Sequence, residues 1–311
     1  IEFAPISIPF ERRLQTLIVL YYVLEFLPLG LALLLFLIYL TFTNYHWITL
    51  LYLVWFAYDK EVCHRGGRRS ECIRKWFIWK WFRDYFPISL VKTADLDPNR
   101  NYIFGVHPHG IICCGAFCNF GTEANDFSKM YPGLTPYLMT LEQQFTLPIH
   151  RELILFTGAC SASKESMEYL LTNNGVGNAL VLIVGGAVEA LDAVPGTLHL
   201  TLKERKGFIK MALKTGSSLV PVISFGENDL FKQAKRDDNC WLKKIQFKLT
   251  KYMRFSPPIF SGRGVFQYNF GLLPFRKPVV TVAVEALDVI PGTLQLTLNE
   301  RKGLIEMALK T

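Results

Sequence analysis

The chain has 311 residues, half of them hydrophobic, with 19% charged and a formal net charge of +8. That balance excludes a disordered chain, which is charge-rich and apolar-poor. Seven cysteines with no CxxC pair exclude a small disulfide scaffold and fit reduced thiols facing a cytosolic compartment. The positive charge suits either an anionic membrane surface or a nucleic acid.

The apolar residues decide for the membrane, because they gather at the front. Between Arg13 and Asp59 the one formal charge is Glu25. A spanning helix needs about 20 apolar residues, so residues 14–58 are predicted to form a membrane hairpin of two helices, about 16–42 and 46–58. Thr43-Asn44-Tyr45-His46 is the expected turn, and Pro28 an expected kink. Arg12 and Arg13 precede the run, and Lys60, Arg65, Arg68 and Arg69 follow it, so both flanks are expected to be cytosolic. A single span near 16–42, with 47–58 in the interface or the core, is the alternative.

Residues 59–97 are basic and aromatic, the texture of an interfacial element or of a surface helix packing its Trp residues on the main domain. From 98 to 282 short apolar runs alternate with helical ones, which predicts an α/β domain. Strands are expected at 102–106, 178–184, 218–225 and 278–284. A helix is expected over 207–215, with Gly216 as its C-terminal cap. Residues 283–311 repeat 187–215 with six substitutions in 29 positions. Two copies are too few for a solenoid.

His107-Pro108-His109-Gly110 follows the first of these strands, where α/β folds place their sites. Imidazole titrates near neutrality, so one of these histidines can take a proton from an attacking alcohol. A metal is the rival use, but no zinc-ligand spacing is present. Gly185 and Gly186 follow the second strand and lead to Glu189, which can orient a histidine or simply cap a helix. The turn's amides are suited to an oxyanion. The repeat's Glu285 lacks the preceding Gly-Gly and is not expected to act. Arg205 and Lys206 stand at a helix N-terminus suited to phosphate, or to plain solvation. Glu227 and Asn228 occupy a polar turn after the third strand.

With YIFGVHPHG, VGGAVEAL, RKGFIKMAL, LVPVISFGEND and GRGVFQYNFGLLP in this order, the chain closely resembles the monoacylglycerol/diacylglycerol/wax-alcohol acyltransferase family. The likeness covers nearly all of residues 7–282 and is strongest toward the monoacylglycerol (2-acylglycerol) branch. It implies an α/β acyltransferase domain anchored by an N-terminal transmembrane helical hairpin. The implied reaction is acyl transfer from acyl-CoA to monoacylglycerol or diacylglycerol in neutral lipid synthesis. Acyl-CoA is then a substrate, and neither cofactor nor metal is implied. Residues His107, Pro108, His109 and Gly110 correspond to the family's active-site signature. His109 is the implied general base, with Glu189 orienting it in a setting that includes His107, Gly185 and Gly186. Arg205 and Lys206 are then assigned to the CoA phosphates, and Glu227 and Asn228 to support. The implied setting is the endoplasmic reticulum membrane, crossed more than once, with both termini and the catalytic domain cytosolic. Partners are the two substrates and the bilayer, with no nucleic acid and with self-association left open. A wax-alcohol acyltransferase and a catalytically silent lipid-binding relative are the alternatives. Relatives continue past the last strand into a long helix, where this chain carries its repeat.

Overall fold

The computed structural model describes residues 1–5, 7–198, 200–202, 205–233, 246 and 259–288. Most of the second repeat copy, Lys203, Glu204 and Cys240 lie outside them.

Among the described residues seven strands form one sheet: β1 (Ile88–Lys92), β2 (Tyr102–His107), β3 (Thr135–Thr140), β4 (Cys160–Ser161), β5 (Asn178–Ile183), β6 (Ser218–Phe225) and β7 (Val279–Ala283). Their order is β1-β7-β6-β2-β5-β3-β4, parallel throughout except for the antiparallel pair β6–β7. The four expected strands are β2, β5, β6 and β7, and all but β7 lie side by side at the centre. Central parallel strands are covered on both faces and so read as unbroken apolar runs. Phe104, Val181 and Val220 share a lateral row and bury into one layer, with Phe120, Phe127 and Phe82. Ile103, Leu180 and Leu219, one residue earlier, bury into the other, with Met167, Leu170 and Met211. The expected helix spans Gly207–Thr215 and ends in left-handed Gly216 (φ 68°).

The N-terminal region begins with α1 (Phe10–Leu24), which runs through a π-turn over Glu25–Leu29 into α2 (Gly30–Leu40). Pro28 sits in that wider turn, where its missing N–H and its ring are accommodated. After a turn, α3 (His46–Asp59) packs back, and Thr49 Oγ1 donates to Leu37 O at 2.9 Å. The shape of a hairpin is therefore present, but the expected transmembrane lengths are not. Among the described residues no helix is long and apolar enough to cross a membrane. At 1.5 Å per residue α2 spans about 16 Å and α3 about 21 Å, against about 30 Å of hydrocarbon. Part of the missing length is α1, which packs on the domain instead: Val19, Tyr22 and Val23 are buried, and Tyr22 OH donates to Ile112 O at 2.9 Å. The outer faces of α2 and α3 remain apolar and exposed, with Leu31, Leu35, Phe36, Leu50, Leu51 and Val54 all more than half accessible.

The basic aromatic segment is largely structural. Its helix Ile78–Tyr85 buries Trp79, Phe82 and Tyr85 against the domain, while Trp76 and Phe77 stay exposed. Arg74 is fully buried, donating to the carbonyls of Phe120, Gly121 and Thr157 and to Glu123 Oε1 at 3.1 Å. These four acceptors serve the two terminal nitrogens of the guanidinium, and burying a cation calls for such partners.

A candidate acyltransferase site

The strands β5, β2 and β6 are neighbours, so the loops leaving their C-terminal ends converge. They carry Gly185, Gly186 and Glu189, the run His107–Gly110, and Glu227 respectively.

Glu189, on the short helix Gly186–Leu191, is only 2% exposed. Its Oε1 accepts from His107 Nδ1 at 3.3 Å and from the backbone N–H of Thr201 at 3.1 Å. Its Oε2 accepts from the backbone N–H of His109 at 2.9 Å. Burial acts to raise this carboxyl's pKa, but His107 and the two backbone donors outweigh it and hold the group below its usual range. Gly185 makes room for it, since a Cβ there would stand 1.9 Å from Glu189 Oε2. Gly186 starts the helix with a left-handed φ of 60°.

His109 opens onto a cavity of about 170 Å³ whose walls are mostly apolar, including Ile112, Phe117, Leu138 and Leu182. Its Nδ1 lies 3.0 Å from Gly110 O, which can only accept, so Nδ1 carries the proton and Nε2 the lone pair. Burial holds the imidazole pKa below its ordinary value. One expectation changes here. The Glu189 carboxylate orients the imidazole of His107 and only the backbone of His109, because a carboxylate beneath the loop meets the inward His107 side chain first. The imidazole of His109 is oriented by a carbonyl instead. His107 is buried, and its Nε2 has no hydrogen-bond partner among the described residues.

Glu227 is buried under the same loop. Its two oxygens accept from the backbone N–H groups of Cys114 (2.7 Å) and Gly115 (2.9 Å). A Cβ on Gly110 would lie 2.6 Å from Glu227 Cγ, so this glycine lets the loop close on the carboxylate. Burial pushes the Glu227 pKa up to about 7 against the pull of those donors. Asn228 acts elsewhere, donating to Thr197 O at 3.0 Å and so tethering the loop behind Glu189. Arg205 reaches the rim and donates to Gly185 O at 3.3 Å. Lys206 is exposed on a separate groove with Lys164, Lys210 and Lys214. Glu285 is exposed beside β6, away from the histidines.

Two features carried no recognisable sequence signal. Cys113 has its sulfur 3.5 Å from His109 Nδ1, and burial, with the charges of Glu227 and Glu189, pushes its thiol pKa up, which keeps it neutral. Glu25 and His150, 125 residues apart, form a buried hydrogen bond in the wall of the same cavity. Among the described residues no group of three His, Cys, Asp or Glu side chains is placed to hold a metal ion.

Residues 36–284 match the family described as diacylglycerol acyltransferase. The chain belongs to that family. As a diacylglycerol acyltransferase family member it is 48% identical to 2-acylglycerol O-acyltransferase 1 of Bos taurus over 306 residues, covering 98% of this chain and 90% of that protein. It is 49% identical to diacylglycerol O-acyltransferase 2 of Danio rerio over 279 residues, covering 89% of this chain and 77% of that one. A crystal structure of the 1-acyl-sn-glycerophosphate acyltransferase PlsC from Thermotoga maritima aligns at TM-score 0.43 and 13% identity, covering 96% of each chain.

Proposed function

We propose that this family member is a membrane-associated, acyl-CoA-dependent O-acyltransferase that esterifies monoacylglycerol to diacylglycerol. The observation that carries the reading is His109, whose basic Nε2 is presented at the wall of an apolar cavity by a loop clamped from below. Nε2 takes the acceptor's hydroxyl proton as the oxygen attacks the thioester carbonyl. The C–O bond forms, the C–S bond breaks, and the departing thiolate takes the proton from the imidazolium. An imidazole kept neutral by burial is ready to act as base near pH 7. The reaction needs no cofactor beyond the acyl-CoA substrate.

A second reading makes His107 the base, supported by its contact with the Glu189 carboxylate. Its burial instead supports a positioning role for His107. Diacylglycerol and long-chain alcohols are the alternative acceptors. The exposed apolar faces of α2 and α3 support insertion as a re-entrant hairpin into the cytosolic leaflet of the endoplasmic reticulum membrane. That geometry keeps both flanks cytosolic, in line with the Lys and Arg residues around it.

The test offers labelled acyl-CoA to membranes carrying the chain or its His109→Ala form, with monoacylglycerol, diacylglycerol and a fatty alcohol competing. Diacylglycerol formed by the first and absent from the second is the expected result. No product with any acceptor, from folded and membrane-bound chain, would overturn the reading in favour of a silent lipid-binding relative.

A further inference from the structure

A second, larger cavity of about 1070 Å³ lies beside the candidate site and is lined, among the described residues, by six cations: Arg12, Arg13, Lys232, Arg263, Arg276 and Lys277. Among the described residues one carboxylate joins them, that of Asp229, and its Oδ1 already accepts the backbone N–H of Gly196 at 2.8 Å. Among the described residues, Arg12, Lys232, Arg263, Arg276 and Lys277 form no ion pair with any Asp or Glu.

The two central cations are held in place without being neutralised. Arg263 is 7% exposed and its guanidinium lies 4.5 Å over the Tyr268 ring. Arg276 stacks at 4.1 Å over Tyr85 and donates to Gln15 Oε1 (2.6 Å) and Arg12 O (2.9 Å). Burial, with the charges of Arg263 and Arg12, lowers its pKa. Burying cations together costs free energy unless an anion compensates them. Rigid guanidinium forks set over aromatic rings suit phosphate oxygens better than a lone carboxylate. Phe266, 78% exposed in the same wall, offers a ring face on which a planar base can stack.

Position gives the ligand its shape. Arg12, Thr16 and Leu20 of α1 line this cavity, while Tyr22 of the same helix, with Glu25 and Phe26 of the π-turn that continues it, lines the cavity of His109. Thr16 and Glu25 are nine residues apart, about 14 Å along the axis. The turn after β6 joins the two as well, since Glu227 supports the histidine loop while Asp229 lines the cationic cavity. The segment bearing Arg263 and Arg276 docks on that turn through Phe275 N–H donating to Leu230 O at 2.7 Å.

We infer that the cationic cavity binds the phosphorylated nucleotide end of the acyl donor, with the donor's long arm running beside α1 to place its thioester at His109. The inference rests on the acyl-CoA reading above. It moves the phosphates away from Arg205 and Lys206, which serve the rim of the first cavity and a separate groove. The same phosphate chemistry could come from an anionic lipid headgroup, so the test separates the two.

The experiment compares the full chain in nanodiscs with Arg12→Gln/Lys232→Gln/Lys277→Gln, three changes at exposed positions, and with Arg205→Gln/Lys206→Gln. Binding of coenzyme A itself is measured together with KM for palmitoyl-CoA and for palmitoyl-pantetheine, which lacks the nucleotide. The triple variant is expected to raise the coenzyme A Kd and the palmitoyl-CoA KM about tenfold or more, the scale of one lost charge-assisted contact. Its rate with palmitoyl-pantetheine should be unchanged. The same loss with both donors, or a rise confined to the Arg205/Lys206 variant, overturns the site. If the triple variant instead loses only its binding to phosphatidylserine vesicles, the cavity holds a lipid headgroup and the coenzyme assignment falls. Wild-type chain that binds coenzyme A but transfers nothing keeps the site and removes the acyltransferase reading.

Discussion

Glu189 ties the two histidines together, with one oxygen on His107 Nδ1 and the other on the His109 backbone N–H. The carboxylate therefore fixes where His109 sits without touching its imidazole. Glu189→Gln replaces an acceptor by an NH₂ facing an N–H, so the loop must shift. A misplacement of about 1 Å costs on the order of 10²-fold in rate. The expected result is a kcat loss of that order with little change in KM, read by steady-state kinetics.

His109→Gln removes the base and is expected to lower kcat by about 10²–10⁴-fold. His107→Gln keeps a hydrogen-bonding side chain beside Glu189 and is expected to lose less. The two variants measured side by side decide between the two histidines; a larger loss at His107 would make it the base.

The lowered pKa of His109 has a signed consequence. Its base form persists to lower pH than a free imidazole, whose pKa is about 6.5, so the acid limb of kcat/KM against pH should fall below that value. The same shift means that the unfolded chain binds this proton more readily. The stability contributed by neutral burial is thus complete above about pH 6.5 and is lost as pH falls toward the folded-state value.

Glu227 works in the opposite direction. Its folded pKa, about 7, stands above the usual 4.5, so its contribution to stability is greatest at low pH and declines as pH rises through about 7. Tm measured from pH 5 to 8 should fall across that window by more in the parent chain than in Glu227→Gln. Equal slopes would show that the carboxyl is charged throughout.

Gly185→Ala places a Cβ 1.9 Å from Glu189 Oε2, whereas the Cβ of Gly207→Ala meets no atom of the described residues within 4 Å. The first change should cost on the order of 10²-fold in kcat. The second sits at the first position of a helix, where alanine is the better residue, and should leave activity intact. Rate and Tm measured for both separate site geometry from general sensitivity to alanine.

Much of the sheet was legible because central strands are buried on both faces, as in the runs 102–106, 178–184 and 218–225. The edge strands β1 and β4, and β3 between β5 and β4, were not read, since they are short or include polar residues that break an apolar run. Of the site, the histidine motif and Glu189 were readable as motifs that end strands. The Glu25–His150 pair and the joining of Arg12 to Arg263 and Arg276 were not, because long-range contacts leave no local pattern.

The repeat isolates what sequence alone determines. The hexapeptide AVEALD occurs at 187–192 and at 283–288. In the first copy it follows Gly185-Gly186, whose left-handed turn starts the helix Gly186–Leu191 and buries Glu189 beneath the histidines. In the second it follows Thr281-Val282 at the end of β7 and continues extended along β6. There Val284 N–H donates to Pro221 O, and Leu219 and Leu287 exchange backbone hydrogen bonds of 2.9 and 2.7 Å. Glu285 is left exposed, and Asp288 pairs with Arg100. The sequence determined which residues are apolar, which turn admits a left-handed φ, and which side chains can titrate near neutrality. The tertiary structure decided which copy is helix and which runs beside β6, because the hexapeptide's local preference is worth less than the hydrogen bonds an adjacent strand supplies.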